Sequence, residues 1–275
     1  MTGHDRQWDL NRLNFEGRWC GTSRWYERDA DGLLDLSSPV AVIEDTCYAI
    51  SFSDPDTGLW DGSGLRFVPD GRRRLPLARA TYNSGGQCWQ FRGAAGQSSL
   101  VLDSRQPRFG HEVNLFRGRS RSMLVLLYAP ATDLSWRLQS LGVVPFRCSL
   151  AAEPDPARPA ASDWRALLAE QEGWPGELER LEPQRWPAAD PEPQPCDPFR
   201  SRQFSGNGIS VDPSACITAG FADGLICSLP EVLPQGAFAL QVGCRLDADH
   251  FQQVSFHYDS QQRLTAWELR RFRRP

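Results

Sequence analysis

Trp8-Asp-Leu-Asn-Arg-Leu-Asn-Phe-Glu16-Gly17 and Trp164-Arg-Ala-Leu-Leu-Ala-Glu-Gln-Glu172-Gly173 align without a gap, with Trp, the apolar helix positions, Glu and Gly coinciding. One deletion later Trp19-Cys-Gly21 meets Trp174-Pro-Gly176. The distal ends repeat as well. Ser122-Met-Leu-Val-Leu-Leu-Tyr128 is followed six residues on by Leu134 and then Trp136; Gln252-Gln-Val-Ser-Phe-His-Tyr258 is followed six residues on by Leu264 and then Trp267. Self-similarity of this kind signals a duplicated supersecondary plan. Each unit reads as a short helix, a Gly/Trp strand, several further strands and a closing hairpin.

Outward from the repeat, two segments have helical spacing, 5–14 and 163–172, the second opening on the N-cap residue Ser162. Almost everything else is short β-rich runs. In the first half the pattern predicts strands at 18–26, 40–52, 64–68, 77–83, 87–92, 98–102, 111–117, 122–129 and 143–150. In the second half it predicts them at 176–182, 199–204, 208–212, 215–221, 225–229, 237–246, 251–258 and 263–272. Turn signals divide them at Asp31-Gly32, Asp70-Gly71, Gly85-Gly86, Asn207-Gly208 and Asp223-Gly224. The Pro-rich stretch AAEPDPARPAA, 151–161, reads as a linker between units at 1–150 and 162–275. Eight antiparallel strands fit each unit and close into a barrel, which also hides sheet edges. The expected fold is therefore all-β, two tandem antiparallel barrels, each preceded by a short helix.

Composition narrows the function. Hydrophobic residues make up 40% and charged residues 23%, ordinary globular usage. No apolar run approaches the roughly 18 residues of a membrane-spanning helix. The opening MTGHDRQWDL carries Asp5 and reads as neither a secretory signal nor a transit peptide, which predicts a cytoplasmic protein. The net charge of -4 argues against nucleic-acid binding. All 30 basic residues are arginine, whose planar fork pairs carboxylates and stacks on aromatic rings. The eight cysteines form no C-x-x-C, and most lie in apolar runs, so they are expected as free thiols in a reducing compartment.

Gly17-Arg18-Trp19 at the end of a helix, the repeated Trp19/Gly21 and Trp174/Gly176 spacing, and Tyr258-Asp259 before a final strand resemble a cyanobacterial lipocalin-like (calycin) family of unknown function built from two barrels. That family is distantly similar to the S-type lyases that attach bilins to phycobiliproteins. The resemblance implies that Trp19 and Trp174, with Gly17, Gly21 and Gly176, form the barrel floors. It also implies that an arginine of the last strand stacks on each indole, Arg137 or Arg147 on Trp19 and Arg270 or Arg271 on Trp174. Such a contact is worth about 1–2 kcal/mol when shielded.

The 10 tryptophans are many for this length. Trp25, Trp89, Phe91, Trp136 and Trp267 lie in strand-like segments and are candidates to line a cavity for a flat conjugated ligand. Arg79, Arg92 and Arg137 are the candidates to fix its carboxylate by a bidentate bond; large aromatics filling two small barrels and solvated arginines are the competing readings. Asp247, Asp249, His250 and His257 form the one His/Asp cluster and match no strong metal motif, so no metal is expected. There is no G-x-S-x-G, Walker loop or G-x-G-x-x-G. The segment 183–198 (PQRWPAADPEPQPCDP) reads as a partner-facing or flexible lid loop with Trp186 as an anchor. The resulting expectation is a binding or assembly protein, with no required cofactor, holding a hydrophobic carboxylate-bearing molecule such as a bilin. The alternatives are a chromophore lyase or chaperone with a phycobiliprotein partner, and a protein-binding scaffold with filled barrels.

Overall fold

The structure, a computed structural model, describes residues 1–66, 73–133, 135–149, 155, 158–205 and 216–275. The first half opens with α1 (Gly3–Phe15), β1 (Gly17–Glu27), β2 (Ala41–Phe52), β3 (Thr57–Asp61) and β4 (Arg74–Ala78). It continues with β5 (Cys88–Phe91), β6 (Ala94–Ser98), β7 (Phe109–Arg117), β8 (Ser120–Pro130) and β9 (Trp136–Cys148). The second half contains α2 (Trp164–Ala169), β10 (Gly176–Leu181), β11 (Gln194–Cys196) and α3 (Ser201–Ser205). It ends with β12 (Cys216–Gly220), β13 (Leu225–Pro230), β14 (Phe238–Arg245), β15 (His250–Tyr258) and β16 (Leu264–Arg273). The expected strand at 208–212, the turns at Asp70-Gly71 and Asn207-Gly208, Leu134 and most of the stretch 151–157 lie outside the described residues.

Two antiparallel sheets result, with orders β4-β3-β2-β1-β9-β8-β7-β6-β5 and β11-β10-β16-β15-β14-β13-β12. The repeat is realised in this wiring, because in each sheet the first strand lies between the second and the last. Among the described residues no ladder joins β4 to β5 or β11 to β12; the described strands form two antiparallel sheets, one of them a curled half-barrel, and the two closed barrels expected from sequence are not confirmed. The helix α1 covers the gap in the first sheet. Its Gln7 side chain stands in for a neighbouring strand, accepting from Gln90 N at 2.8 Å and donating to Gln90 O at 3.0 Å. Trp8 Nε1 donates to Pro55 O at 2.8 Å, and Arg79, just after β4, clamps the helix through Asp9 at 2.9 Å and Asp5 at 3.4 Å. A sheet edge is thereby hidden without closure.

Other elements depart from expectation for local reasons. β3 sits in an Asp/Gly-rich stretch that masks a strand. The expected strand at 98–102 is displaced to β6, whose Ala94-Ala-Gly-Gln-Ser98 contains no β-branched residue. The expected strand at 199–204 is instead the helix α3. Asp223-Gly224 is a tight turn as predicted, with φ of 63° and 73°.

The two sheets share a core. One buried cluster runs from Trp89, Phe109, Leu124 and Leu126 of the first sheet to Leu240, Phe256, Trp267 and Leu269 of the second. β8 is therefore buried on both faces, with Met123 and Val125 turned toward the concave side and Leu124, Leu126 and Tyr128 toward the second sheet. At the centre of the joint, Ser98 Oγ accepts from Trp89 Nε1 at 3.1 Å and Trp267 Nε1 at 2.9 Å. Both indoles are donors only, so the Ser98 proton goes to His111 Nδ1, 2.9 Å away. Tyr258 donates to Ser99 O at 2.5 Å and accepts from His111 Nε2 at 3.2 Å. The network fits one neutral tautomer of His111, and complete burial pushes that imidazole down to about 3.

A second joint forms around Asp223, which Arg147 binds through both oxygens at 2.5 and 3.2 Å and to which Ser122 donates at 2.5 Å. Burial works to raise this carboxyl, yet the Arg147 and Ser122 bonds hold it below its ordinary value. Arg158, from the linker, is buried beneath it. Its guanidinium donates to Leu115 O at 3.2 Å, Ser122 Oγ at 2.7 Å and Ser120 O at 2.9 Å. Cys20 and Cys47, expected as free thiols, face each other across β1 and β2 and form a disulfide, which corrects that expectation.

Candidate ligand cavity

Both predicted floor tryptophans are buried, Trp19 fully and Trp174 nearly so. The arginines that cover them are not those of the last strands. Arg119 and Arg121 lie 4.7 and 4.9 Å from the Trp19 ring, and Arg245 lies 4.8 Å from the Trp174 ring. Arg137 is instead paired with Asp133 at the surface, Arg147 holds Asp223, Arg270 pairs with Glu268 and Arg271 with Glu179. Strand alternation explains the difference, because only the residues facing the concave side can reach the floor. Arg121 is fully buried among aromatic rings, with Phe146 at 4.4 Å, Tyr48 at 5.0 Å and Phe15 at 5.3 Å. Its guanidinium donates to the Tyr48 hydroxyl. Burial pushes the Tyr48 phenol up to about 12 despite the nearby cation.

Above this floor the first sheet curls around a cavity of about 760 Å³. Its apolar wall includes Phe15, Ile50, Trp60, Leu77, Met123 and Phe146. Its polar wall comes from Asn11, Tyr82, Gln90, Gln97 and Glu112, and Arg73 also borders it. Gln90 is tied in place by Asn14 at 3.0 Å and by Tyr82 at 3.0 Å. The Asn83 side chain bonds both backbone groups of Cys88, at 2.7 and 2.8 Å, which fixes the loop before β5. Cys88 also faces the cavity; burial, reinforced by the charge of Glu112, pushes its thiol up to about 11.

None of the sequence candidates lines this space. Trp89, Phe91, Trp136 and Trp267 belong to the core between the sheets, where Trp267 is stacked between Trp89 at 6.5 Å and Trp186 at 5.6 Å. Trp25 packs over Gly142 on β9. Arg79 serves the α1 clamp, and Arg92 is exposed and pairs with Asp190 at 3.4 Å. The segment 183–198 is not a free lid. Trp186 anchors it in the core, and Asp190 reaches Arg6 of α1 at 2.5 Å. The residue that sequence reasoning missed above all, Glu112, sits on a strand of ordinary alternation whose inward face cannot be told from its outward one without the sheet.

The concave side of the second sheet is filled differently. Phe199 and Phe204 pack on Phe251 at 5.2 and 6.0 Å. Beyond them Glu268 lies between Arg270 at 2.6 Å, Arg180 at 2.8 Å and His257 at 3.1 Å. Burial tends to raise the Glu268 carboxyl, and these three partners overcome it and hold it at about 2. Among the described residues no group of His, Cys, Asp and Glu is placed to hold a metal ion. No helix among them is long and apolar enough to cross a membrane.

These features define an all-β protein of two antiparallel sheets with a cavity in the first. The fold is similar over 98% of this chain, and 99% of the other, to the crystal structure of a protein of unknown function from the DUF3598 family of the cyanobacterium Nostoc punctiforme, at a TM-score of 0.70 and 16% identity. A putative outer membrane protein of Bacteroides fragilis aligns over 96% of this chain and 99% of its own at a TM-score of 0.21 and 6% identity, too weak a likeness to carry an argument. No family model and no curated protein matches the sequence.

Proposed function

We propose that this is a binding protein of lipocalin-like (calycin) type whose first unit holds a hydrophobic small molecule, with a bilin as the candidate class. The observation that carries the reading is the cavity of about 760 Å³ in the curl of the first sheet. Its size falls within the roughly 300–1,000 Å³ typical of small-molecule sites, and a mostly apolar wall with a few placed polar groups is their usual lining. A bilin would bring carboxylates, for which Arg73 is the cation among the lining residues. Holding without covalent attachment is favoured, because the thiolate is the nucleophilic form and Cys88 is kept protonated at neutral pH.

Titration of the purified protein with the neutral dye Nile red and with biliverdin tests this. A saturable 1:1 emission rise or absorbance shift is expected. Val125→Trp, which places an indole in the cavity, should weaken both at least about tenfold with little change in melting temperature, since the added ring enters open space rather than packed core. Absence of saturable binding by either probe, or undiminished binding by the variant, refutes the reading.

A further inference from the structure

Glu112 stands on the inward face of β7, two residues from Asn114, so both side chains project to the same side of the sheet. Asn114 is completely buried, and its Nδ2 donates to Glu112 Oε1 at 2.9 Å. That bond fixes the amide orientation, because only the NH₂ end can serve a carboxylate. Asn114 Oδ1 is left buried with no hydrogen-bond partner among the described residues. A buried acceptor without a donor costs roughly 1–3 kcal/mol. Glu112 itself lines the cavity and forms no ion pair with any described cation. Its charge is felt on both sides of the space, at Tyr48 and at Cys88. Arg121, the buried cation nearest the floor, is turned to the Tyr48 hydroxyl and the surrounding rings.

A largely apolar cavity is thus lined by a carboxylate, Glu112, whose side-chain donor among the described residues is the amide of Asn114 alone. We infer that the ligand supplies the counter-group: the molecule held here presents an ammonium or an N–H group to Glu112, with its apolar body along Trp60, Leu77 and Met123. This rests on the cavity being the ligand site, and it names the ligand group that selects for occupancy. A linear tetrapyrrole meets the requirement through its pyrrole N–H groups, and a hydrophobic amine meets it through its ammonium.

The test is displacement of Nile red by dodecylammonium, dodecanol and dodecanoate at neutral pH, with the wild type, Glu112→Gln and Glu112→Lys. Glu112→Gln retains an amide oxygen for Asn114, so the fold is expected to persist. Dodecylammonium should bind at least about tenfold more weakly to Glu112→Gln, while dodecanol changes by less than about twofold. Glu112→Lys should abolish the response to dodecylammonium and favour dodecanoate, a reversal that a merely structural role for Glu112 would not produce. If dodecylammonium binds the wild type and Glu112→Gln within twofold of each other, the inference is overturned while the cavity reading stands. If Nile red itself does not bind, the cavity reading fails and this inference falls with it.

Discussion

Acidification should uncouple the two sheets at His111. The imidazole is fully buried between Ser98 and Tyr258, and burial drops it to about 3 from an ordinary value near 6.5. Below pH 6.5 the unfolded chain takes up a proton at this position and the folded chain does not. Stability is therefore fully present above that value and is lost as pH falls through the interval down to about 3. The slope is about 1.4 kcal/mol per pH unit, so at pH 5 the His111 contribution to the loss is about 2 kcal/mol. His111→Gln keeps a side-chain amide for Ser98 or Tyr258 and has no proton to bind. Urea unfolding of both proteins at pH 7.5, 6.5, 5.5 and 5.0 isolates the effect, because every other titrating group cancels in the difference. The variant should be the less stable protein at pH 7.5 and should close the gap by about 2 kcal/mol at pH 5. A gap that stays constant between pH 7.5 and 5 would show that His111 is protonated or exposed in the folded protein and would refute the network described for it.

Two further outcomes follow from the joints between the sheets. Arg158→Met should leave the Leu115 and Ser120 carbonyls buried without their donor and cost about 2–3 kcal/mol, read as a fall in melting temperature of roughly 5–10 °C. Gly220→Ala should cost about 1–3 kcal/mol in the same assay, since a Cβ there collides with the Ala161 carbonyl where the linker crosses β12.

The repeat carries into the wiring: β1 and β10 each lie between the second and last strands of their sheets, and the two equated indoles, Trp19 and Trp174, are both buried. Which arginine stacks on them was not legible, because Arg121 and Arg147 differ only in which face of a strand they occupy. The shared core left a trace that alternation arguments pass over. Met123-Leu-Val-Leu-Leu-Tyr128 is continuously apolar, and a strand of that kind is covered on both faces. A barrel facing water on its outside would have alternated there. The cavity was the least legible part. Its polar residues are separated in sequence, from Asn11 to Glu112, and meet only because α1 lies across the gap between β4 and β5. The tryptophans drew attention instead, and they mark the place where the sheets meet.

Why one unit of a duplicated chain curls around open space and the other does not follows from what comes after its second strand. In the first unit the chain goes on to β3 and β4, which extend the sheet edge to nine strands and widen its curl. In the second, β11 is followed by Phe199 and α3, which turn inward across the concave face. Gln203 O and Ser205 O accept from Gln241 and Ser228 of that face, each at 3.3 Å, while Phe199 and Phe204 pack on Phe251 there. Among the described residues the second sheet has seven strands, and this plug supports its interior. Its outer face is then free to act as a rigid wall for β5 to β9, whose inward residues include Glu112, Asn114 and Met123. The cavity and the support of its outer wall are thus divided between the two halves, and the arginine, serine and tryptophan contacts of the joint are where a change in the second half would reach the cavity of the first.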